Sequence, residues 1–217
     1  MNDPRIELKF ATGDHTRGLV ESWIRCHPAH FRQAYPDRWV NSLYFDNLDL
    51  DSLRDNYAGI SRRLKTRYRW YGELEMPSRG NLELKFRKNE VGWKNVYPVE
   101  AVDFSHGRRL PGAISEITEQ LEPEAIAWMN RFHWPIVVIR YLRRYFISAD
   151  GEYRITFDQN LNCYSQQFSS RINFRRQSLG LDPSSNVIEV KFSPEAIVGA
   201  SHLVKGIPAR RSRFSKY

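Results

Sequence analysis

Basic side chains recur at every second residue between positions 62 and 71 of this sequence. Arg63, Lys65, Arg67 and Arg69 alternate there with apolar and aromatic residues. Successive side chains of a β-strand point to opposite faces, so a strand here would carry its basic side chains on one face. A guanidinium group binds phosphate oxygens through two parallel hydrogen bonds and keeps its charge. The spacing therefore predicts a strand face that binds a phosphate-rich anion.

Five other segments show the same division into a charged face and an apolar face. Their charged or polar positions are Glu83, Lys85 and Arg87; Arg5, Glu7 and Lys9; Tyr141, Arg143 and Tyr145; Arg154, Thr156 and Asp158; and Glu189 and Lys191. An antiparallel sheet ordinarily exposes one face to water, and such a face mixes Ser, Thr, Lys, Glu and Gln. Here arginine and lysine dominate, and facing cations repel one another. The pattern favours a ligand-lined face over an ordinary solvated one.

The composition also favours an anionic partner. The 217 residues include 33 Lys and Arg against 25 Asp and Glu, a net charge of +8, and 25 of the basic residues are arginine. The 41% of hydrophobic residues excludes a disordered chain. The apolar run 134–139 is far shorter than the about 20 residues of a membrane helix, and the charges in residues 1–10 argue against a signal peptide. Cys26 and Cys163 are too few for a disulfide framework or a Cys-rich zinc site. We predict a soluble, cytoplasmic protein.

The hydrophobic periodicity predicts a mainly β fold of the α+β class, in one domain over residues 1–217. The predicted strands are 5–10, 39–45, 62–71, 81–88, 94–99, 137–148, 152–158 and 187–192. The predicted helices are 12–27, 49–56, 113–132 with a kink at Pro123, and 194–203. Eight strands can close into an antiparallel barrel with a narrow interior. We therefore expect a barrel with a basic interior and with helices packed outside it. Carboxylates among the cations could hold Mg²⁺ or Mn²⁺ against bound phosphates.

Several short strings of this sequence resemble the VTC domain, the polyphosphate polymerase branch of the CYTH-like triphosphate tunnel metalloenzymes. The strings are 42–47, 65–72, 82–85, 141–143, 154–158, 188–191 and 214–217. They follow the order of the family and span nearly the whole chain. The chain is similar to the short bacterial members, because it carries neither the regulatory SPX domain nor the membrane helices of the eukaryotic proteins. A separate membrane partner is left open.

The resemblance implies an eight-stranded tunnel that transfers the γ-phosphoryl group of ATP to a growing inorganic polyphosphate chain. Such a phosphotransferase releases ADP and needs Mn²⁺ or Mg²⁺. The implied partners are ATP and polyphosphate, and no nucleic acid is expected.

The resemblance also implies roles for individual residues, to which the charged strand faces add Lys65 and Lys191. The expected catalytic residues are Arg67, Arg69, Lys85, Arg143, Arg154 and Lys216. The expected substrate-binding residues are Lys9, Lys65, Tyr141, Lys94 and Lys191. Glu189 is the expected metal ligand, with Glu7 and Glu83 as weaker candidates.

Alternative interpretations stay open. Many tunnel enzymes begin with Glu-x-Glu-x-Lys, whereas this chain has Arg5 at the first acidic position. The lost carboxylate counts against the first alternative, a tunnel-fold triphosphatase that hydrolyses triphosphate or nucleoside triphosphates. The second alternative is a non-catalytic module that binds polyphosphate or nucleic acid. Tyr68 and Trp70 could stack on bases, but they lie on the face opposite the arginines, which favours packing in the core.

Overall fold

The computed structural model describes residues 5–89, 91–105, 107–175, 185–212 and 214–217. The strands in these ranges are β1 (Ile6–Gly13), β2 (Arg32–Asp46), β3 (Arg62–Tyr71), β4 (Arg79–Lys88), β5 (Val91–Glu100), β6 (Trp134–Ile147), β7 (Arg154–Ser165), β8 (Ser185–Phe192) and β9 (Arg210–Arg211). The α-helices are α1 (Arg17–Cys26), α2 (Asp51–Ala58), α3 (Leu110–Thr118), α4 (Pro123–Arg131) and α5 (Ile197–Leu203). No helix in the described ranges has the length and apolar character needed to span a bilayer.

All eight predicted strands are present, but the strand prediction was wrong in several details. β7 runs to Ser165 rather than ending at Asp158. β2 begins at Arg32 rather than at Trp39. The prediction missed its first half because the polar segment around Pro36 lacks the alternation that marks a strand. The short strand β9 was not predicted. It pairs with β1 through Arg211 opposite Phe10, and two residues are too few to show a period.

The predicted helix 113–132 is two helices, α3 and α4. Pro123 occupies the first turn of α4, where its missing N–H costs no hydrogen bond. A proline inside one continuous helix would remove a backbone hydrogen bond and clash with the preceding turn. One helix therefore ends at Thr118 and the next begins at Pro123, so the prediction of a single kinked helix was wrong.

The strands form a mainly antiparallel sheet in the order β5-β4-β3-β2-β6-β7-β8-β1-β9. The predicted α+β, mainly β class is thus confirmed. The closed eight-stranded barrel is not confirmed, because the sheet formed by the described residues has nine strands and its order ends at β5 and at β9. The prediction failed here because period-2 alternation locates strands but does not show which edge strands pair with each other.

Two compact units share these strands. Within the described residues, unit 1 consists of the chain up to Arg38, Tyr141–Leu161 and 185–216. Unit 2 consists of Trp39–Arg140, 162–175 and Tyr217.

The core of unit 2 lies between one sheet face and the helices α3 and α4. The strands contribute Leu43, Phe45, Leu64, Tyr68, Trp70, Leu82 and Leu84, and the helices contribute Leu110, Ala113, Ile117, Ala125 and Met129. The apolar positions predicted from alternation therefore face the helices, as expected. Tyr68 and Trp70 are fully buried, stacked with ring centroids 5.4 Å apart, which confirms their packing role.

The core of unit 1 is built in the same way. The strands β1, β7 and β8 contribute Phe10, Ile155, Phe157, Ile188, Val190 and Phe192, and the helices α1 and α5 contribute Val20, Ile24, Ala200 and Leu203. Because alternate residues of each strand pack here, the remaining residues must point to the opposite face. In both units, burial of the apolar face therefore directs the charged side chains to the other face.

Gly80 leaves the space that the Tyr68 ring fills. It lies opposite Trp70 in the β3–β4 pairing, and an added Cβ would overlap the Tyr68 ring. We expect Gly80→Ala to lower the free energy of unfolding by about 1–3 kcal/mol, because the fully buried ring has no room to move. Urea denaturation of purified protein measures this change.

Gly92→Ala is the matched control, on the neighbouring strand β5. A Cβ there would lie 3.5 Å from the Phe86 carbonyl oxygen, an ordinary contact. We expect its stability to stay within about 0.5 kcal/mol of wild type. Equal stability of the two variants would contradict the packing described for Tyr68.

Candidate functional site

The strand register of unit 2 places the predicted basic residues in rows across three strands. Lys65 lies opposite Lys85, and Lys85 lies opposite Lys94. In the adjacent row, Arg67 lies opposite Glu83. Directly opposed like charges destabilise a sheet. Lys65 and Lys94 offset part of this repulsion through their contacts with the Tyr217 backbone oxygen and with Glu83.

Glu83 is the carboxylate on which the cations of unit 2 converge. Its Oε2 accepts a 2.7 Å hydrogen bond from Arg67 Nε and lies 3.7 Å from Arg69 Nη1. Its Oε1 accepts a 2.8 Å hydrogen bond from Lys94 Nζ. Only 4% of Glu83 is exposed. One buried carboxylate thus fixes the positions of three cationic side chains, including Lys94 from the edge strand.

The cations of this cluster determine the ionisation of Glu83. Burial by itself raises the pKa of a carboxyl group, because it disfavours the charged form. The charges of Arg67, Arg69 and Lys94 outweigh that effect and hold the Glu83 pKa well below its ordinary value. Glu83 is therefore an anion at neutral pH, committed to the protein's own cations.

Two hydroxyl groups of β2 fix the guanidinium groups from the other side. Arg67 Nη1 donates a 3.1 Å hydrogen bond to the Tyr44 hydroxyl, and Arg69 Nε donates a 3.2 Å bond to Ser42 Oγ. The Arg67 guanidinium also lies 5.8 Å from the centre of the Tyr44 ring. Neither hydroxyl was predicted as a site residue, although both lie in a string that resembles the family.

Tyr217 anchors this side of the cluster. Its ring stacks on Tyr44, with centroids 4.9 Å apart and planes 11° from parallel, and its hydroxyl donates a hydrogen bond to Asp46. Its backbone oxygen accepts hydrogen bonds from Lys65 Nζ at 2.7 Å and from Asn56 Nδ2 at 3.0 Å. Lys65, predicted to bind substrate, therefore also holds the chain near Tyr217.

Unit 1 contains a second cluster, built around Asp158. Arg143 donates two hydrogen bonds to this carboxylate, at 2.5 Å from Nε and 2.6 Å from Nη2. Lys216 Nζ lies 2.6 Å from Asp158 Oδ2. Asp158 is fully buried. Its contacts show it as an internal partner of two predicted catalytic cations.

Glu189, the predicted metal ligand, lies among four cations of the same cluster. Lys9 and Lys216 approach its Oε1 at 3.7 and 3.4 Å. Lys191 and Arg143 approach its Oε2 at 3.3 and 3.6 Å. The β1–β8 register accounts for one of these contacts, because Lys9 lies directly opposite Glu189.

Burial and charge act in opposite directions on these groups. Burial raises the pKa values of Asp158 and Glu189, but the surrounding cations outweigh it and lower both below their ordinary values. Burial lowers the pKa of Lys216, but Asp158 and Glu189 outweigh it and raise the pKa. Asp158, Glu189 and Lys216 are therefore held in their charged forms at neutral pH.

The tail residue Lys216 is held by more than its ion pairs. Its Nζ lies 4.8 Å from the centre of the buried Tyr141 ring, and the Arg143 guanidinium lies 5.1 Å from the same centre. Lys9 Nζ donates a 3.3 Å hydrogen bond to the Phe214 carbonyl, which holds the segment before Lys216. Tyr141 thus lies between two predicted catalytic cations.

The structure brings together most of the predicted site residues, in two groups. In unit 2 the group is Lys65, Arg67, Arg69, Glu83, Lys85 and Lys94, and in unit 1 it is Glu7, Lys9, Tyr141, Arg143, Glu189, Lys191 and Lys216. Arg154 differs from these residues. It lies opposite Lys191 in the β7–β8 pairing but is exposed, with no ion pair to any described residue.

The described residues could hold a divalent cation only if phosphate oxygens complete its coordination. Within the described ranges, no three His, Cys, Asp or Glu side chains lie close enough together to hold a metal ion. Glu83 is committed to three cations, and Glu7 lies 3.1 Å from Lys9 Nζ. Mg²⁺ is usually bound through about one or two carboxylates plus substrate phosphates. Glu189 is itself surrounded by four cations, so a dication could share this carboxylate only with phosphate oxygens that offset their charge.

Comparison with known proteins agrees with this geometry. A family model described as the VTC domain matches residues 4–217. Among curated proteins, no relative matches this sequence.

Two solved structures resemble the chain along almost their whole lengths. HpAC1 from Hippeastrum, studied as an adenylyl cyclase and described as having a dominant triphosphatase activity, is 16% identical with a TM-score of 0.52. The match covers 99% of this chain and 92% of that chain. A protein from Vibrio parahaemolyticus assigned as an adenylate cyclase is 12% identical with a TM-score of 0.51, and the match covers 100% and 97%. At these identities the likeness shows a shared fold and nothing more.

The ion pairs of Glu83 lead to a pH-dependent prediction. Because its pKa is lowered on folding, Glu83 stabilises the protein above the unfolded pKa of about 4.3, and this stabilisation is lost as the pH falls below that value. Glu83→Gln should lower the free energy of unfolding at pH 7 by about 3 kcal/mol, because it leaves buried cations without their carboxylate. The difference from wild type should narrow as the pH falls from 5 to 3.

Urea denaturation at a series of pH values measures both effects. The free energy of unfolding is plotted against pH for each protein. If the plot for Glu83→Gln runs parallel to the wild-type plot from pH 7 to pH 3, Glu83 is not held ionised by Arg67, Arg69 and Lys94.

Proposed function

Because the chain belongs to the VTC domain family, we propose that it is a polyphosphate polymerase. In this proposal it transfers the γ-phosphoryl group of ATP to the end of an inorganic polyphosphate chain and releases ADP. The match of one family model to residues 4–217 also supports treating the chain as one catalytic domain.

The observation that carries the proposal is the grouping of basic side chains in adjacent rows on one sheet face of unit 2. Five basic side chains occupy its rows with Glu83 as the carboxylate among them; they are Lys65, Arg67, Arg69, Lys85 and Lys94. A bound triphosphate would supply the anionic charge that balances such a face. The proposal assigns this cluster to the phosphates of ATP.

Phosphoryl transfer depends on positioning and charge stabilisation more than on covalent chemistry by the protein. In the proposed mechanism, Arg67 and Arg69 bind phosphate oxygens through their fixed guanidinium groups, while Lys85 adds a point charge. Glu83 keeps both arginines oriented without contacting substrate. The attacking phosphate of the acceptor chain is already anionic, so no general base is needed.

The cluster of unit 1 is proposed to bind the acceptor chain. Arg143 and Lys216 stabilise negative charge on its phosphates, and Lys9 and Lys191 add further positive charge. Tyr141 orients Arg143 and Lys216 through its ring. Arg154, which is exposed, is proposed to meet the chain at the surface of the unit.

Glu189 is proposed to hold Mn²⁺ or Mg²⁺ together with phosphate oxygens. When bound, such an ion neutralises charge on the phosphates and makes the γ-phosphoryl group easier to transfer. Lys9, Lys191 and Lys216 surround the same carboxylate, so phosphate oxygens are needed to offset their charge before a dication can approach.

Triphosphate hydrolysis is the second candidate function. It is favoured by the fold shared with HpAC1, the Hippeastrum protein described as having a dominant triphosphatase activity. The same clusters would serve if water took the place of the acceptor chain. A nucleic-acid-binding function is less favoured, because Tyr68 and Trp70 are fully buried and cannot stack on bases.

The products distinguish these functions. Purified protein is incubated with ATP and Mn²⁺, with and without a short polyphosphate primer, and ADP, free phosphate and polyphosphate are quantified. We expect long polyphosphate with an equal amount of ADP and little free phosphate. Free phosphate in an amount equal to ADP, without any polyphosphate, would contradict the polymerase and support the hydrolase.

Substitution of Arg67 tests the assignment of the unit 2 cluster. Arg67→Ala should lower polyphosphate synthesis by about 10²–10³-fold, the usual cost of removing a donor that stabilises developing charge. The variant should stay folded, because Arg69 and Lys94 still neutralise Glu83. The synthesis rate of Arg67→Lys should lie between those of wild type and Arg67→Ala, since lysine keeps the charge but cannot form two parallel hydrogen bonds.

Arg62→Ala is the matched control for this experiment. Arg62 lies on the same strand but is exposed and occupies the alternate face. We expect it to keep wild-type turnover. Wild-type turnover in Arg67→Ala as well would remove Arg67 from the proposed mechanism.

A further inference from the structure

The Arg67 guanidinium is held at two places by groups of different kinds. Its Nε and Nη2 atoms lie 2.7 and 2.5 Å from a single oxygen, Glu83 Oε2. Its Nη1 donates a 3.1 Å hydrogen bond to the Tyr44 hydroxyl, which lies at the tip of a buried ring. A second anchor away from the carboxylate oxygen fixes the plane of the guanidinium group, and the Tyr44 hydroxyl supplies one.

The Tyr44 ring is held in turn by the Tyr217 ring. The two rings stack with centroids 4.9 Å apart and planes 11° from parallel. Both tyrosines are buried. Stacking of aromatic rings favours one relative orientation of the pair, so a fixed Tyr217 ring also fixes the position of the Tyr44 hydroxyl.

Helix α2 ties Tyr217 at two points. The Tyr217 hydroxyl donates a hydrogen bond to the fully buried carboxylate of Asp46. The same carboxylate accepts hydrogen bonds from the backbone N–H groups of Ser52 and Leu53, at 3.0 Å each, in the first turn of α2. The Tyr217 backbone oxygen accepts a 3.0 Å hydrogen bond from Asn56 Nδ2, later in the helix. The orientation of Tyr217 is therefore set by a regular helix and not by the site itself.

The surroundings of Tyr217 keep its hydroxyl group a hydrogen-bond donor. Burial and the neighbouring Asp46 carboxylate both raise the pKa of Tyr217 above its ordinary value. Burial disfavours a charged phenolate, and a nearby carboxylate disfavours a second negative charge. The hydrogen bond from Tyr217 to Asp46 therefore persists at neutral and mildly alkaline pH.

We propose that Tyr217 is a positioning residue for Arg67, acting through the Tyr44 ring and its hydroxyl. This inference rests on the proposed function and extends it from the basic side chains to the aromatic pair beside them. A donor that stabilises developing charge must be aimed at it, and a displacement of about 1 Å can cost about 10²-fold in rate. Without the Tyr217 ring, Arg67 keeps its ion pair with Glu83 but loses its fixed plane. The loss therefore falls on kcat more than on KM for ATP.

Nitrogen-15 NMR of the arginine side chains of the full chain measures this positioning without requiring catalysis. The two Nη atoms of Arg67 should give separate resonances in wild type, because contacts on both sides slow rotation of the guanidinium group. In Tyr217→Leu these resonances should merge. Arg69 is the internal reference, since its Nε donates to Ser42 Oγ, and its resonances should not change. The spectrum of Arg67→Lys identifies the Arg67 signals by their loss.

ADP release from ATP in the presence of Mn²⁺ measures the consequence for turnover, and both candidate functions release ADP. We expect Tyr217→Leu to lower kcat by about tenfold and to change KM for ATP by less than about threefold. Tyr217→Phe keeps the stacked ring and should restore kcat to within about threefold of wild type. Thermal melting verifies that each variant is folded.

Tyr57→Leu is the matched control. It makes the same substitution at a tyrosine of α2 that is 93% exposed. We expect its kcat, its KM for ATP and the Arg67 resonances to equal those of wild type.

A double-mutant cycle separates positioning from a purely structural role of Tyr217. If Tyr217 acts through Tyr44, Tyr217→Leu has little further effect on kcat once Tyr44→Phe has removed the hydroxyl. Additive losses in the double variant would show that Tyr217 acts by another route and would overturn the inference.

The remaining outcomes separate this inference from the proposed function. Merged Arg67 resonances in Tyr217→Leu, with Arg69 unchanged, would support the positioning role even if the protein released no ADP, in which case the proposed function would fail by itself. Unchanged Arg67 resonances, or wild-type kcat in Tyr217→Leu, would overturn the positioning role even if the protein makes polyphosphate. Merging of the Arg69 resonances as well would show a general loosening and would also overturn it.

Discussion

Repulsion between cations on the charged strand faces is the constraint on which the rest of the structure depends. Burial of apolar residues against α3 and α4 in unit 2, and against α1 and α5 in unit 1, forces the alternate basic residues onto the opposite face. A few buried carboxylates hold these cations in fixed positions. The folded chain therefore holds positive charge at defined places, with Arg67, Arg69 and Lys94 of unit 2 fixed around Glu83.

The alternation in the sequence predicted most of the fold, because it follows directly from the geometry of a strand. It located every strand with a regular apolar face. It failed for the first half of β2, where Pro36 and polar residues show no period, and for β9, which is too short to show one. It also could not show whether the sheet closes, because closure depends on which edges pair.

The candidate site was predictable in its cations but not in the contacts that orient them. Arg67 and Arg69 are evident from their spacing, whereas their convergence on Glu83 depends on the β3–β4 register. The roles of Tyr44 and Tyr217 depend on the placement of residues far apart in sequence, which no local pattern contains. Glu189 illustrates the same limit, because the sequence singles out a carboxylate and only the structure shows the four cations around it.

Ligand-dependent stability tests most directly whether these cations need a phosphate polyanion. The melting temperature is measured with increasing inorganic triphosphate and, separately, with sulfate at matched ionic strength. At about 100 times its dissociation constant a ligand stabilises the folded state by about 2.7 kcal/mol, which raises the melting temperature of a chain this size by about 5–10 °C. The account predicts such a rise with triphosphate and little change with sulfate. Equal shifts with the two anions, or no shift with triphosphate, would contradict it.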